Sequence, residues 1–253
     1  MNLDPVKPLE LPAAGSCLRV YLLGQVDFAA VQSLQRGLVY QVQEERASGA
    51  LVLCEHPPLI TVGREGGPGQ VYFEPAELRT LRWGVRWVNR GGGCWLHLAG
   101  QLGVYAILAL DRFGLGVQAY VNRLQNVAIR LLDEFHISAV ARPGHPGVWV
   151  GSRAIAEVGV AVRDWVTYYG LVLNVNPDLA PYRKIRNGSS ADGPMTSLER
   201  ERRGPLRPAL VRELFLEHFS AAFPFDRTAL FFNHSSLGQP ARTMPQSAPA
   251  QLR

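Results

Sequence analysis

The stretch RGGGCWLHLAGQ, residues 90–101, decides how this chain is organised, because apolar runs flank it on both sides. The runs 85–88 and 102–110 predict two buried strands. Only glycine lets a backbone bend sharply and approach a ligand closely, so three consecutive glycines indicate a loop shaped around a bound group. A long hairpin connection is the alternative, since the spacing matches no phosphate-binding loop.

Hydrophobic periodicity on either side of this glycine loop predicts strands and three main helices. Asp27 is a candidate N-cap, and Pro75 is a candidate first helical residue. Helices are expected at residues 27–47, 75–81, 117–135 and 206–223, and strands at residues 17–23, 50–54, 59–62, 148–150, 155–162 and 165–175, with Arg163 and Asp164 as the last turn. Three long separated helices are too few for a fully wound parallel sheet, so the fold class is α/β of the α+β type, with a mixed, largely antiparallel sheet flanked by helices.

Length and composition predict one globular domain. The chain has 253 residues, of which 47% are hydrophobic, so it can bury a large core. We expect an irregular segment at residues 1–16, the domain at 17–232, and a disordered tail at 233–253 that is rich in Ser, Gln and Pro. No apolar run reaches the roughly 18 residues of a membrane span, so the chain is expected to be cytoplasmic, with no membrane partner.

The net charge and the cysteine content limit which classes of ligand and partner are expected. The net charge is +5, and the basic residues form no cluster with aromatic residues, which argues against nucleic acid and leaves an acidic protein partner open. Cys17, Cys54 and Cys94 are interpreted as reduced thiols, with Cys17 and Cys54 in the core. Without a CxxC pair or a second half to the Cys94/His97 spacing, we expect no metal, and no cofactor is expected.

Three blocks of sequence resemble one protein family. They are LCEHPPLITVGR (residues 53–64), RGGGCWLHLAGQL (residues 90–102), and GVWV followed by IAEVGVAVRDWVTYYGLVLNVNPDL (residues 155–179) and TSL (residues 196–198). Their order and spacing resemble the lipoyl/octanoyl transferase family, within the biotin/lipoate ligase-like superfamily. The resemblance implies a single biotin/lipoate-ligase-like domain whose glycine loop holds an acyl chain.

The resemblance also implies a reaction and its partners. In the family, a cysteine takes an octanoyl group from octanoyl-acyl carrier protein as a thioester, a lysine lowers the pKa of that thiol, and a lysine of a lipoyl domain receives the acyl group. Only the thiolate is nucleophilic, which is why the thiol needs a nearby cation. The substrate-binding residues implied here are Arg90, Gly91, Gly92, Gly93, Cys94, Trp95, Leu96, His97, Gly100, Gln101, Glu157, Val158, Gly159, Gly170, Leu171 and Val172.

This sequence departs from the family at both catalytic positions. Ala154 stands at the lysine position, and counting from Ile185 or from Thr196 places Gly188 at the cysteine position. Glu157 also replaces a small residue of the acyl cavity, where a carboxylate is costly beside an alkyl chain unless it is neutralised or paired. In the loop, Trp95 and Leu96 replace threonine and tyrosine, and Leu98 and Ala99 replace a Gly-Pro pair. Outside the loop, Tyr169 replaces the histidine that precedes Gly170.

Substitutes for the missing groups are weak on sequence grounds. Cys94 is interpreted as a small buried hydrophobe because no adjacent lysine or histidine would activate it, and Ser189 lacks a positioned base. Lys184 is interpreted as a solvated loop charge, and Arg153 is expected to point away from the site because successive strand residues face opposite sides. His97 is interpreted as a hydrogen-bonding or loop-stabilising residue rather than a base.

These observations leave two main hypotheses. The first is an octanoyltransferase of protein lipoylation that works without the cysteine/lysine pair, by direct transfer or through a substitute such as Cys94. The second is a non-catalytic relative that binds an acyl group, an acyl carrier protein or a lipoyl domain. An ATP-dependent lipoate ligase is a third alternative, although that related family also relies on the lysine replaced by Ala154.

Overall fold

The structure is a computed structural model, and it describes residues 15–186 and 194–237. Its five α-helices are α1 (Phe28–Glu44), α2 (Pro75–Leu81), α3 (Val117–Asp133), α4 (Leu198–Arg202) and α5 (Pro208–Ala222). Its eleven strands are β1 (Cys17–Gln25), β2 (Gly49–Glu55), β3 (Leu59–Val62), β4 (Gly84–Trp87), β5 (Cys94–His97), β6 (Gln101–Ile107), β7 (Val140–Arg142), β8 (His145–Val150), β9 (Arg153–Arg163), β10 (Val166–Asn174) and β11 (Arg227–Phe231).

The strands form two sheets. Eight strands follow the order β11-β1-β2-β6-β10-β9-β8-β7, and a small sheet follows the order β4-β3-β5. In the large sheet, β1 is parallel to both of its neighbours, and the remaining pairs are antiparallel. The predicted mixed, largely antiparallel sheet flanked by helices is therefore confirmed.

Helices cover both faces of the large sheet. On one face, α1 buries Val31, Leu38 and Val42 against β2 and β6, and the Asp27 carboxylate caps this helix by accepting from the Ala29 and Ala30 amides. On the other face, α3 and α5 pack together over the sheet. The last helix begins at Pro208 rather than at the predicted residue 206, because proline fits the first turn of a helix.

Two predicted features of the strands are wrong. Strand β4, expected to be buried, is exposed at every residue because it pairs only with β3 at the edge of the small sheet. The predicted Arg163-Asp164 turn lies one residue later: Val166 pairs with Arg163, and both Asp164 and Trp165 have positive φ angles, 50° and 63°. Both positive φ angles are typical of a two-residue type I′ hairpin turn.

The structure tests the predictions for the cysteines and describes only part of the two chain ends. Residues 1–14 and 238–253, most of the two predicted irregular segments, lie outside the described residues, while Ser235–Leu237 at the start of the expected tail forms a 3₁₀ turn. Cys54 and Cys94 are buried, but Cys17 is partly exposed, so its assignment to the core was wrong. Across the described ranges, no helix combines the length and hydrophobicity of a membrane span.

The strained hairpin gives a first prediction. Trp165→Gly should stabilise the protein by about 1 kcal/mol, because a left-handed backbone costs a non-glycine residue about 1–2 kcal/mol. The Trp165 side chain is 55% exposed, so its removal loses little packing. Urea unfolding followed by circular dichroism measures the change. Trp87→Gly, which removes a tryptophan that is also more than half exposed from extended β4, should not stabilise the protein, and equal gains in both variants would refute the interpretation.

Candidate functional site

The glycine loop lies between the two sheets. Its carbonyl groups extend the pairing of the small sheet: Gly63 N donates to Gly93 O at 3.0 Å, and Arg64 N donates to Arg90 O at 3.0 Å. Gly91 N donates to Val160 O of β9 at 2.9 Å, which ties the loop to the large sheet. Gly92 has a φ of 78°, a conformation that favours glycine.

The Arg90 side chain fills the inside of this loop. It is 1% exposed, and its Nη1 donates to the carbonyl groups of Gly91 and Gly93, each at 3.0 Å. Its Nη2 donates to Thr61 O at 3.0 Å and to Thr61 Oγ1 at 2.8 Å. Burial lowers the pKa of Arg90 to about 10, so the group remains a cation at neutral pH. The guanidinium holds the loop carbonyl groups in place.

Strand β5 sends alternate side chains to opposite faces of the small sheet. Cys94 and Leu96 enter an apolar cluster with Ile60 and Val62, and burial raises the pKa of the Cys94 thiol. Trp95 faces the other way, with the Arg90 guanidinium 3.6 Å from its ring centroid. The loop cysteine and the Arg90 side chain therefore lie on different faces.

Trp95 covers the part of β9 expected to line the acyl cavity. A Cβ atom on Gly159 would lie 2.7 Å from Cζ2 of the indole ring and 2.6 Å from Gly91 O, so the ring and the loop sit directly on this glycine. Trp95 is 4% exposed. The space above Gly159 is therefore filled by protein.

The other predicted lining residues divide between the two faces of the large sheet. Glu157 is 3% exposed and pairs across the sheet with Val172. Its negative charge favours the protonated forms of Arg90 and Cys94 in the loop, and also that of Tyr182. Val158 and Leu171, in contrast, belong to the core on the α3 face, so the structure does not bring them to the glycine loop.

Buried hydrogen bonds also hold His97 and Gln101, which follow the glycines of the loop. His97 Nε2 lies 3.0 Å from Thr61 Oγ1, and burial holds the pKa of His97 well below its usual range. At the other end, Gln101 Nε2 lies within 3.1 Å of Leu96 O, Asn174 Oδ1 and Tyr182 Oη. Gly100 takes a φ of 84° against Asn176, where any Cβ would clash.

Sequence reasoning missed a second buried histidine beneath His97. His56, which precedes the double proline, lies with Nδ1 2.6 Å from Val26 O and Nε2 2.5 Å from the Tyr105 hydroxyl. The two imidazole centroids are 5.5 Å apart. Burial lowers the pKa of His56 to about 4. The HPP motif was a sequence signal for His56 itself. Nothing in the sequence indicated that the distant Tyr105 would be its partner.

Position 154, which the resemblance assigns to the family lysine, holds a fully buried alanine. Ala154 packs against Trp149 and Met195, and its main chain bonds to Pro194 O and Thr196 N. Arg153 points away, as the strand alternation predicts, and forms a bidentate ion pair with Glu201 at 2.8 Å. Gly188 and Ser189 lie outside the described residues.

Lys184 and Tyr169 take part in contacts that the sequence did not predict. The Lys184 ammonium pairs with Glu77 and lies 5.5 Å from the Phe73 ring centroid, while its side chain stays 45% exposed to solvent. Tyr169, at the position that the resemblance assigns to a histidine, has a φ of 60° within β10, and its amide donates to Gln35 Oε1 at 2.7 Å.

Comparison with known proteins identifies first the fold class and then the family. A bipartite lipoate protein ligase of Thermoplasma acidophilum, described with its E2 lipoyl domain, superposes with a TM-score of 0.67 over 87% of this chain and 89% of that one. At 13% identity, this likeness shows a lipoate-ligase-like fold. The family profile described as the lipoyl protein ligase A/B catalytic domain matches residues 27–220.

Two curated relatives agree with this assignment. An octanoyltransferase of Geotalea uraniireducens is 34% identical over 204 residues, which cover 78% of this chain and 92% of that protein. An octanoyltransferase of Desulfovibrio desulfuricans is 37% identical over 209 residues, which cover 79% and 85% of the two chains. The chain belongs to the lipoyl protein ligase A/B catalytic domain family.

The buried histidines predict a pH dependence of stability. The folded protein keeps His56 neutral down to a pKa of about 4, whereas the unfolded chain protonates this ring near pH 6.5. The contribution of neutral His56 to the free energy of unfolding is therefore complete above pH 6.5 and is lost as the pH falls toward 4. We expect the free energy of unfolding to drop by about 2 kcal/mol from His56 between pH 7 and pH 5.

Urea unfolding at several pH values measures this drop. His56→Gln should flatten the pH dependence, although His97 contributes a further part with the same sign. His145→Gln replaces an exposed histidine and should keep the wild-type pH dependence. A His56→Gln variant with an unchanged slope would exclude His56 as the cause.

Proposed function

We propose that this chain is a non-catalytic member of its family that acts in protein lipoylation by binding a lipoyl domain. Two relatives named octanoyltransferases cover most of the chain, and a structural neighbour is a lipoate ligase described with its E2 lipoyl domain. These likenesses support a role in protein lipoylation. The chemistry of the site favours binding over transfer.

The observation that carries the proposal is the packing of Ala154. At the position of the activating lysine, the chain places a methyl group against Trp149 and Met195, with no exposed surface. The described residues contain a single lysine, Lys184, and that side chain pairs with Glu77. The resemblance assigns the thiol to position 188, which holds glycine, so the chain carries neither group of the family mechanism at its assigned position.

Cys94 is a poor replacement for the family nucleophile. Its thiol lies in the apolar cluster of the small sheet, and burial raises its pKa, which favours the unreactive protonated form. Trp95 occupies the space above Gly159 on the other face. These contacts favour a lipoyl domain over a free acyl group as the ligand.

The test combines a transfer assay with a binding titration. The full chain is incubated with octanoyl-acyl carrier protein and an unmodified lipoyl domain, and intact masses are measured; no acylated domain and no acyl adduct are expected. Calorimetric titration should then detect binding of the lipoyl domain. Acylation of the domain, above all if Cys94→Ser abolishes it, would overturn the proposal, as would failure to bind the lipoyl domain.

A variant of the glycine loop tests the blocked acyl cavity. Trp95→Thr should expose the surface of Gly159 and increase the affinity for octanoate about tenfold, because burying two methylene groups contributes about 1.6 kcal/mol. Calorimetry with octanoate measures the affinity, and circular dichroism checks the fold. Trp87→Thr, the same substitution at an exposed position of extended β4, should have no effect, and equal octanoate affinity in both variants would contradict the prediction.

A further inference from the structure

A groove of about 260 Å³ lies between α1 and the β9–β10 hairpin, beside the glycine loop. One end reaches Asn89, the residue before the loop arginine, and its floor includes Gln35 and Tyr169. Tyr169 pairs with Val160, whose carbonyl accepts from the Gly91 amide, so the groove adjoins the glycine loop through one strand. Neither the family match nor the proposed function uses this groove.

The floor of the groove holds a buried donor without an acceptor. Gln35 is 2% exposed, and its Oε1 accepts a hydrogen bond from Tyr169 N at 2.7 Å. Its Nε2 has no hydrogen-bond partner among the described residues. A buried amide nitrogen without an acceptor destabilises the folded protein, and a ligand oxygen in the groove would remove that cost.

Two tyrosine hydroxyl groups provide further donors. The Tyr168 hydroxyl oxygen accepts from Asn89 Nδ2 at 2.7 Å, and the Tyr169 hydroxyl oxygen accepts from Gln32 Nε2 at 3.0 Å. Each hydroxyl proton then remains available, because neither has an acceptor within the part of the chain that the structure describes. Burial raises the pKa of Tyr169, which keeps its proton in place.

The rim of the groove is positive. Arg36 and Arg163 both line it, and its lining contains no carboxylate. Asp164 lies 3.7 Å from Arg163, but both side chains are more than half exposed, so water screens this pair. The planar donor fork of arginine matches the oxygens of a phosphate or a carboxylate.

We propose that this groove binds a small oxyanion, the phosphate or carboxylate group of a small molecule. The site offers amide, hydroxyl and guanidinium donors, so a ligand rich in acceptors satisfies it and a cation does not. Its volume is just below the range of about 300–1,000 Å³ typical of drug-sized ligands, which suits a charged head group with a short body. The inference does not depend on the proposed function, because it involves neither an acyl group nor a lipoyl domain.

Calorimetry on the full chain with two probes tests the site and separates the two sources of oxyanion. Inorganic phosphate and acetate are titrated separately at constant ionic strength, and at least one should bind with a dissociation constant of roughly millimolar or tighter. Gln35→Glu keeps the oxygen that accepts from Tyr169 N but replaces the donor with a carboxylate. This variant should weaken binding about tenfold or more, the loss expected for one charge-assisted hydrogen bond.

The arginine variants make the test independent of the buried glutamine. Arg36 and Arg163 are exposed, so Arg36→Gln combined with Arg163→Gln should fold and should also weaken binding about tenfold or more. Arg130→Gln, at an exposed position on α3 across the sheet, is the matched control and should bind as the wild type does. The proposal would be overturned if neither probe bound. It would also be overturned if these variants and the control weakened binding equally, which would indicate an adventitious ion only.

Discussion

The glycine loop depends on the buried guanidinium of Arg90. A tight loop turns its carbonyl groups inward, where water cannot satisfy them, and an unsatisfied buried carbonyl is costly. Arg90 donates to Gly91 O, Gly93 O and the Thr61 oxygens, while the Trp95 ring lies against its plane. A lysine ammonium, with three donors at one point, could not reach carbonyl groups spread in this plane.

The residues that hold the site in shape, which we call its frame, are different from the positions that the resemblance assigns to catalysis. The loop is held by Arg90, its far end by Gln101, and the segment after position 193 by the bonds of Thr196 to Glu201 and of Glu201 to Arg153. None of these bonds uses the Ala154 side chain. These bonds can therefore form whatever side chain stands at position 154, and several of the residues that make them, Arg90, Gln101 and Thr196, lie in the motifs that resemble the family.

Local signals made much of the fold predictable, whereas distant contacts did not. The Asp27 cap, Pro75 and the apolar run of β3 placed three elements within a few residues, because each signal acts on its own neighbourhood. Whether β4 is buried depends on the pairing of the small sheet, which no local pattern contains. His56 and Tyr105 are 49 residues apart, so their hydrogen bond appears only after β2 and β6 pair.

The same geometry explains why Cys94 is a poor nucleophile. A reactive thiol needs a cation beside it and access to the substrate. Arg90 lowers the pKa of Cys94 only against a larger opposing effect of burial, since the guanidinium and the thiol lie on opposite faces of β5. Arg90 is also committed to the loop carbonyl groups. Activating Cys94 would require moving its side chain to the face of Trp95, and strand alternation forbids this without shifting the register of β5 by one residue.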